Sequence, residues 1–119
     1  MKVFISQPMR GLTEQQIRDE RTKYWNVIRF LLAEKLKVDA DSIELLDSIL
    51  KQNNTPTNLL AKSIEIMGEA DIVVFLPNWQ GSRGCQIEWS VANEYEWELR
   101  LRGIYTVEES AERVYLERR

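Results

Sequence analysis

A chain of 119 residues, 44% hydrophobic and 29% charged, has enough material for one domain with a real core and too little for two. Its net charge of −3 disfavours nonspecific binding to a nucleic-acid polymer, but leaves room for a small anion held by local positive groups. With no histidine, Ser-His-Asp and Cys-His catalysis, the usual zinc sites and a histidine base are excluded. Acid–base chemistry then falls to carboxylates, lysine, tyrosine or the lone thiol. One cysteine excludes an internal disulfide and points to a reducing cytoplasm. No apolar run reaches membrane-spanning length, and Val3-Phe4-Ile5 is too short for a signal-peptide core.

In chain order, Lys2 to Ser6 reads as a first strand, followed by a loop Gln7-Pro8-Met9-Arg10-Gly11 punctuated by proline and glycine. Thr13 with Gln16 fits a capping box opening a long helix. Ile17, Tyr24, Ile28, Leu31 and Leu32 recur at helical spacing and should cover a sheet, with Arg18, Asp19, Lys23, Arg29 and Lys37 on the solvated side. Val38 to Ser42 is turn-like. Ile43 to Asp47 reads as a second strand, while Leu45 to Leu50 reads equally well as helix. Gln52 to Asn58 is the clearest loop. A helix from about Asn58 to Met67 should bury Leu60, Ser63, Ile64 and Met67.

Asp71-Ile72-Val73-Val74-Phe75-Leu76 is a short β-branched run, the pattern of a strand buried on both faces. Pro77 stops it, and Asn78 to Gly84 forms a loop with two glycines. A helix from about Arg83 to Leu101 follows. Gly103 ends it, Ile104 to Val107 is a last strand, and Glu108 to Arg119 reads as a short charged helix or tail. Strands alternating with helices predict one α/β domain over 1–119, with a parallel sheet of about five strands.

The stretch from Pro77 to Glu88 is the candidate site. A strand, a glycine-containing loop and a helix N-terminus meet there, where ligands bind in open α/β sheets and free N–H groups favour an anion. Glu88 would point toward whatever the loop holds, or would simply stabilise the helix dipole. Ser82 is a candidate N-cap and phosphate ligand. Arg83 and Arg10 are sources of positive charge or ordinary exposed arginines. Gly81 and Gly84 would let backbone approach a ligand. Trp79 would stack on a base or roof the pocket as an apolar lid. Cys85 reads better as packing than as a nucleophile. On the last long helix, Ile87, Val91, Tyr95 and Leu99 share the face expected to meet the sheet. Trp89, Asn93 and Trp97 share a second face, expected to meet a homodimer partner or the C-terminal tail.

Three segments together carry a resemblance: Val3-Phe4-Ile5-Ser6-Gln7-Pro8-Met9-Arg10-Gly11, Ala70-Asp71-Ile72-Val73-Val74-Phe75-Leu76-Pro77, and Gly81-Ser82-Arg83-Gly84-Cys85-Gln86-Ile87-Glu88. In order and spacing they resemble the nucleoside 2-deoxyribosyltransferase superfamily, and more closely a small uncharacterised branch common in bacteria and phages. Residues 38–58 and the tail match poorly. The resemblance implies a flavodoxin-like, Rossmann-like three-layer sandwich that cleaves N-glycosidic bonds of nucleosides or nucleotides, with Glu88 in the place of the family's nucleophile. The deoxyribosyltransferases carry an aspartate where this chain has Ser82. The related nucleotide N-glycosidases carry a serine there that contacts the 5′-phosphate, so the departure favours a nucleoside monophosphate. Asp71 resembles a family aspartate near the base or sugar and is the candidate proton donor; read alone, it is a turn residue satisfying backbone N–H groups. Ser6, Gln7, Met9, Arg10 and Gly11 match the loop that closes over the ligand. Asn93 is a candidate to reach a neighbouring site. Family members form dimers or larger homo-oligomers. No metal and no organic cofactor is implied. The rival expectations are a nucleotide-binding module that does not cleave, and an interaction protein that keeps only the fold.

Overall fold

The computed structural model describes residues 1–49 and 55–119. Among these residues five strands form one sheet: β1 (Lys2–Ser6), β2 (Glu44–Leu45), β3 (Ile72–Phe75), β4 (Gly103–Glu109) and β5 (Val114–Arg118), in the order β2-β1-β3-β4-β5. The first four run parallel and β5 runs antiparallel to β4. The sheet is therefore mixed and mostly parallel. Its order reverses beside β1, which places a switch point between β1 and β3.

Among the described residues three α-helices cover it: α1 (Glu14–Leu36), α2 (Pro56–Met67) and α3 (Arg83–Glu94). Strand alternation sorts the core between them. Val3, Ile5, Ile72, Val74, Tyr105 and Val107 face α1, packing with Tyr24, Ile28 and Leu32. Phe4, Val73, Phe75 and Ile104 face the other way, packing with Met67 of α2 and Ala92 of α3. This is a helix–sheet–helix sandwich. Since Phe4 points to the α2/α3 layer, so does Ser6 at the end of the same strand.

The caps fall where the side chains allow them. Thr13 and Gln16 form the expected capping box of α1. α2 begins earlier than expected, because Thr55 caps Asn58 N–H and Pro56 sits in the first turn, where its missing N–H is not needed. Of the residues expected to be buried there, Met67 is fully buried while Leu60, Ser63 and Ile64 are half-buried. The ambiguous segment after Ile43 resolves as strand only at Glu44–Leu45, with 46–49 not helical. Residues 50–54, which hold the end of the helical alternative and the first three residues of the expected Gln52 to Asn58 loop, lie outside the described residues; Thr55 caps α2 and Pro56 to Asn58 are its first turn, not loop.

Three expectations are corrected. α3 stops at Glu94, not near Leu101: the chain leaves the helix through a turn with Arg100 at φ 57° and enters β4. Its sheet-facing side is also rotated by one residue. Cys85, Glu88 and Ala92 are buried, while Ile87 and Tyr95 are exposed. Hydropathy alone puts the aliphatic row inward; the fold instead seats a carboxylate and two small residues, with Trp89 packed on Phe75. The C-terminal segment is strand, not helix or tail. Val114 and Leu116 alternate inward onto the α1 layer and Leu116 pairs with Val107, so β5 extends the core despite its charged neighbours. Among the described residues, no helix is long and apolar enough to cross a membrane.

Candidate functional site

The carboxyl edge of β1 and β3 gathers a chain of buried polar groups. Ser6 ends β1 and Glu88 lies on the inward face of α3; they are 1% and 6% exposed. The Ser6 hydroxyl donates to Glu88 Oε1 at 2.7 Å. The other oxygen, Oε2, accepts from the Ser63 hydroxyl of α2. Glu88 is thus held by one hydroxyl from the sheet and one from the neighbouring helix. Burial pushes its carboxyl above the usual range, while the Ser63 and Ser6 hydroxyls and the charge of Arg21 pull the other way.

The helix start beside it is built locally. Ser82, in extended conformation, caps α3 by accepting from Cys85 N–H at 3.4 Å. The Cys85 thiol is buried, and burial raises its pKa, so it stays a neutral thiol. A Cβ on Gly81 or Gly84 would meet nothing within 4 Å, so internal packing does not require glycine at either position. Arg83 is exposed at the same helix end. Trp79 stacks on Trp89, with ring centroids 4.4 Å apart, and both pack on Phe75. Of the two readings of Trp79, the apolar lid describes its contacts here, and Trp89 is spent inside the chain.

Other expected site residues lie elsewhere. Asp71 precedes β3, at the amino edge of the sheet, where its carboxylate accepts the Lys2 N–H at 2.7 Å. Asp71 sits beside Lys2, and Ser6 is four residues further along β1, roughly 13 Å at strand rise. The structure therefore gives Asp71 the turn-residue role and does not bring it to Glu88. Asn93 donates to Trp89 O and accepts from Arg119 at 2.5 Å, so it faces the C-terminal segment, which Arg119 also ties to Glu96. Gln7 is buried on the α1 side, its amide donating to Ile17 O and to Glu20. Met9 closes a turn by accepting from Leu12 N–H; Gly11 occupies it at φ 81°, and Arg10 is exposed on it.

Two participants escaped the sequence reading. Arg21 of α1 is 3% exposed and donates to Gln7 Oε1 at 2.9 Å, Ser48 Oγ at 2.8 Å and Ile5 O at 3.3 Å. Burial lowers its pKa to about 10 against the opposing attraction of Asp47 and Glu88. The available signal was its position: it interrupts the apolar stripe of Ile17, Tyr24 and Ile28. Ser63 was expected on the inner face of its helix, but nothing in the sequence linked it to Glu88.

Clefts flank this cluster. One of about 380 Å³ lies beyond β3 and β4, lined by Pro77 to Gln80 and by Val107 to Glu109. Another of about 180 Å³ lies between α1 and the segment after β2, lined in part by Arg18, Arg21 and Asp47. Glu88 lines neither. Among the described residues, no group of three or more Cys, Asp or Glu side chains gathers as a metal site would require.

Residues 1–100 match the family described as "Domain of unknown function (DUF4406)". The chain belongs to the DUF4406 family. No curated protein and no solved structure matches it. The DUF4406 match contains every residue of the Ser6–Glu88–Ser63 cluster and Arg21, and it ends before β4 and β5. The hairpin that completes the α1-side core in this chain therefore lies outside the matched region.

Proposed function

We propose that this DUF4406 chain is a nucleotide-directed relative of the nucleoside 2-deoxyribosyltransferases, with a flavodoxin-like sheet, and that it cleaves the N-glycosidic bond of a nucleoside monophosphate or (deoxy)nucleoside. The observation that carries the reading is the Glu88 carboxylate, held between the Ser6 and Ser63 hydroxyls at the β1/β3 switch point. The strand order 2-1-3-4-5 is that of flavodoxin-like sheets, whose ligands bind at this point.

In this reading the α3 N-terminus, with Ser82 and the charges of Arg83 and Arg10, receives the phosphate. A Glu88 oxygen attacks the anomeric carbon, forming a C–O bond as the C–N bond breaks and its electron pair leaves with the base. Solvent supplies the proton for the base, since Asp71 lies at the opposite edge of the sheet. Water, or a second base, then displaces Glu88 from the sugar. The same hydroxyls that hold the carboxylate orient it, and their rotation frees a lone pair for attack. A homodimer would use the outer face of α3 and the turn after it, where Tyr95 is 55% and Trp97 89% exposed, rather than Trp89.

A specific observation also favours a second reading, in which the protein binds a nucleotide without cleaving it. Both Glu88 oxygens are occupied, and burial favours the neutral acid, a poor nucleophile. Incubation with ribo- and deoxyribonucleoside monophosphates and free nucleosides, with chromatography for free base, separates the two. Release lost in Glu88→Gln supports cleavage, and release only with a second base present means transfer. Tight binding with no release establishes the second reading.

A further inference from the structure

Arg21 carries a charge into the core, opposite the face that holds Glu88. It stands in the stripe of α1 that otherwise buries Ile17, Tyr24, Ile28 and Leu32. All acidic residues of the chain are among the described residues, and the ion pairs there are made by Arg18 and Arg119, so Arg21 has no carboxylate at ion-pair distance. A buried guanidinium without a direct counter-ion is less favourable than an apolar side chain of similar volume. Its hydrogen bonds show what it does there. Nη2 donates to the Ile5 carbonyl at 3.3 Å and Nε to the Gln7 side chain at 2.9 Å. These two residues bracket Ser6, whose hydroxyl meets Glu88 at 2.7 Å. Nη1 adds Ser48, from the segment after β2. One side chain thus grips the end of β1 from the α1 layer, while α2 and α3 close on it from the other.

We propose that Arg21 is a positioning residue for Glu88: its fork holds β1 on both sides of Ser6, fixing that hydroxyl against the carboxylate. The inference rests on the reading of Glu88 as the reacting group. Ser6 of β1, Ser63 of α2 and the Cys85 thiol of α3 face Glu88 and bring no positive charge. Arg21 itself is faced by Asp47 after β2 and by Arg18 on its own helix. Among the described residues Arg21 is the cation whose field acts on Glu88.

The test is a carbon-13 titration of the glutamate side-chain carboxyls in the whole protein, with the Glu88 resonance identified by its loss in Glu88→Gln. It needs no substrate, so it reads this inference even if no base is released, an outcome that would overturn the cleavage reading instead. Arg21→Gln keeps a polar reach toward Gln7 and Ser48 without the charge. Its Glu88 midpoint should rise measurably above that of the wild type, as the Ser6 hydroxyl loosens and the positive charge is lost. Arg21→Lys keeps the charge but cannot hold Ile5 and Gln7 together, and should give a smaller rise in the same direction. Where cleavage is observed, the acid limb of kcat should move with the midpoint in both variants while KM changes less than about threefold. An unmoved Glu88 midpoint in whichever variant folds overturns the proposal.

Discussion

Two carboxylates flank β3, and the sheet treats them oppositely. At its amino edge Asp71 is half-buried and accepts one backbone N–H, from the first residue of β1. At its carboxyl edge Glu88 is buried and is held by hydroxyls from two other elements. The first arrangement settles the entry of a strand. The second keeps an ionisable group out of water with donors that can rotate away. The edge of the sheet a carboxylate meets, more than its residue type, separates one that closes a turn from one buried between hydroxyls.

The largest effect expected is on turnover. Glu88→Gln should lower base release by at least about a thousandfold, whereas Asp71→Asn should leave it within about twofold; comparable losses in both, with folding intact by circular dichroism, would break the contrast. The same Glu88 variant reports on stability. A raised carboxyl pKa means that the folded state holds a proton the unfolded state has released, so stability falls as pH climbs from the ordinary glutamate range to the folded-state pKa. Thermal melts of wild type and Glu88→Gln should therefore diverge with rising pH in favour of the variant; parallel curves would show that the carboxylate is not penalised by burial.

The bracing of the two edges should differ as well. At the carboxyl edge Trp89 packs on Trp79 and Phe75, and Trp89→Ala should cost about 3 kcal/mol in urea melts. At the amino edge Asp71→Ala removes one hydrogen bond and should cost about 1 kcal/mol. Smallest is Arg119→Ala, which breaks a half-exposed pair with Glu96 and should cost about 0.5 kcal/mol, with turnover unchanged. A larger loss of turnover there would tie the C-terminal segment to the position of α3.

Much of this arrangement was readable along the chain. The capping box at Thr13, the buried run Ile72 to Phe75, and Ser82 as a helix cap depend on neighbours within a few residues, and each sits where local pattern puts it. Glu88 was legible as the group one turn inside that helix. Ser63 and Arg21 as its company were not, because α2 and α1 meet β1 from opposite faces and no local rule relates them. The final strand was missed because Val114 and Leu116 alternate among charges that read as a solvated tail.

Composition and pattern by themselves determined the α/β class, the lack of any histidine, the helix start at Ser82 and a carboxylate one turn beyond it. These follow from side-chain chemistry and from backbone preferences acting over one or two turns. Tertiary structure alone decided that β5 runs antiparallel, that Asp71 lies at the wrong edge for Glu88, and that Arg21 and Ser63 converge on the end of β1. Those outcomes depend on which edge and which face of the sheet each residue reaches, and residues far apart in the chain set that only when they pack together.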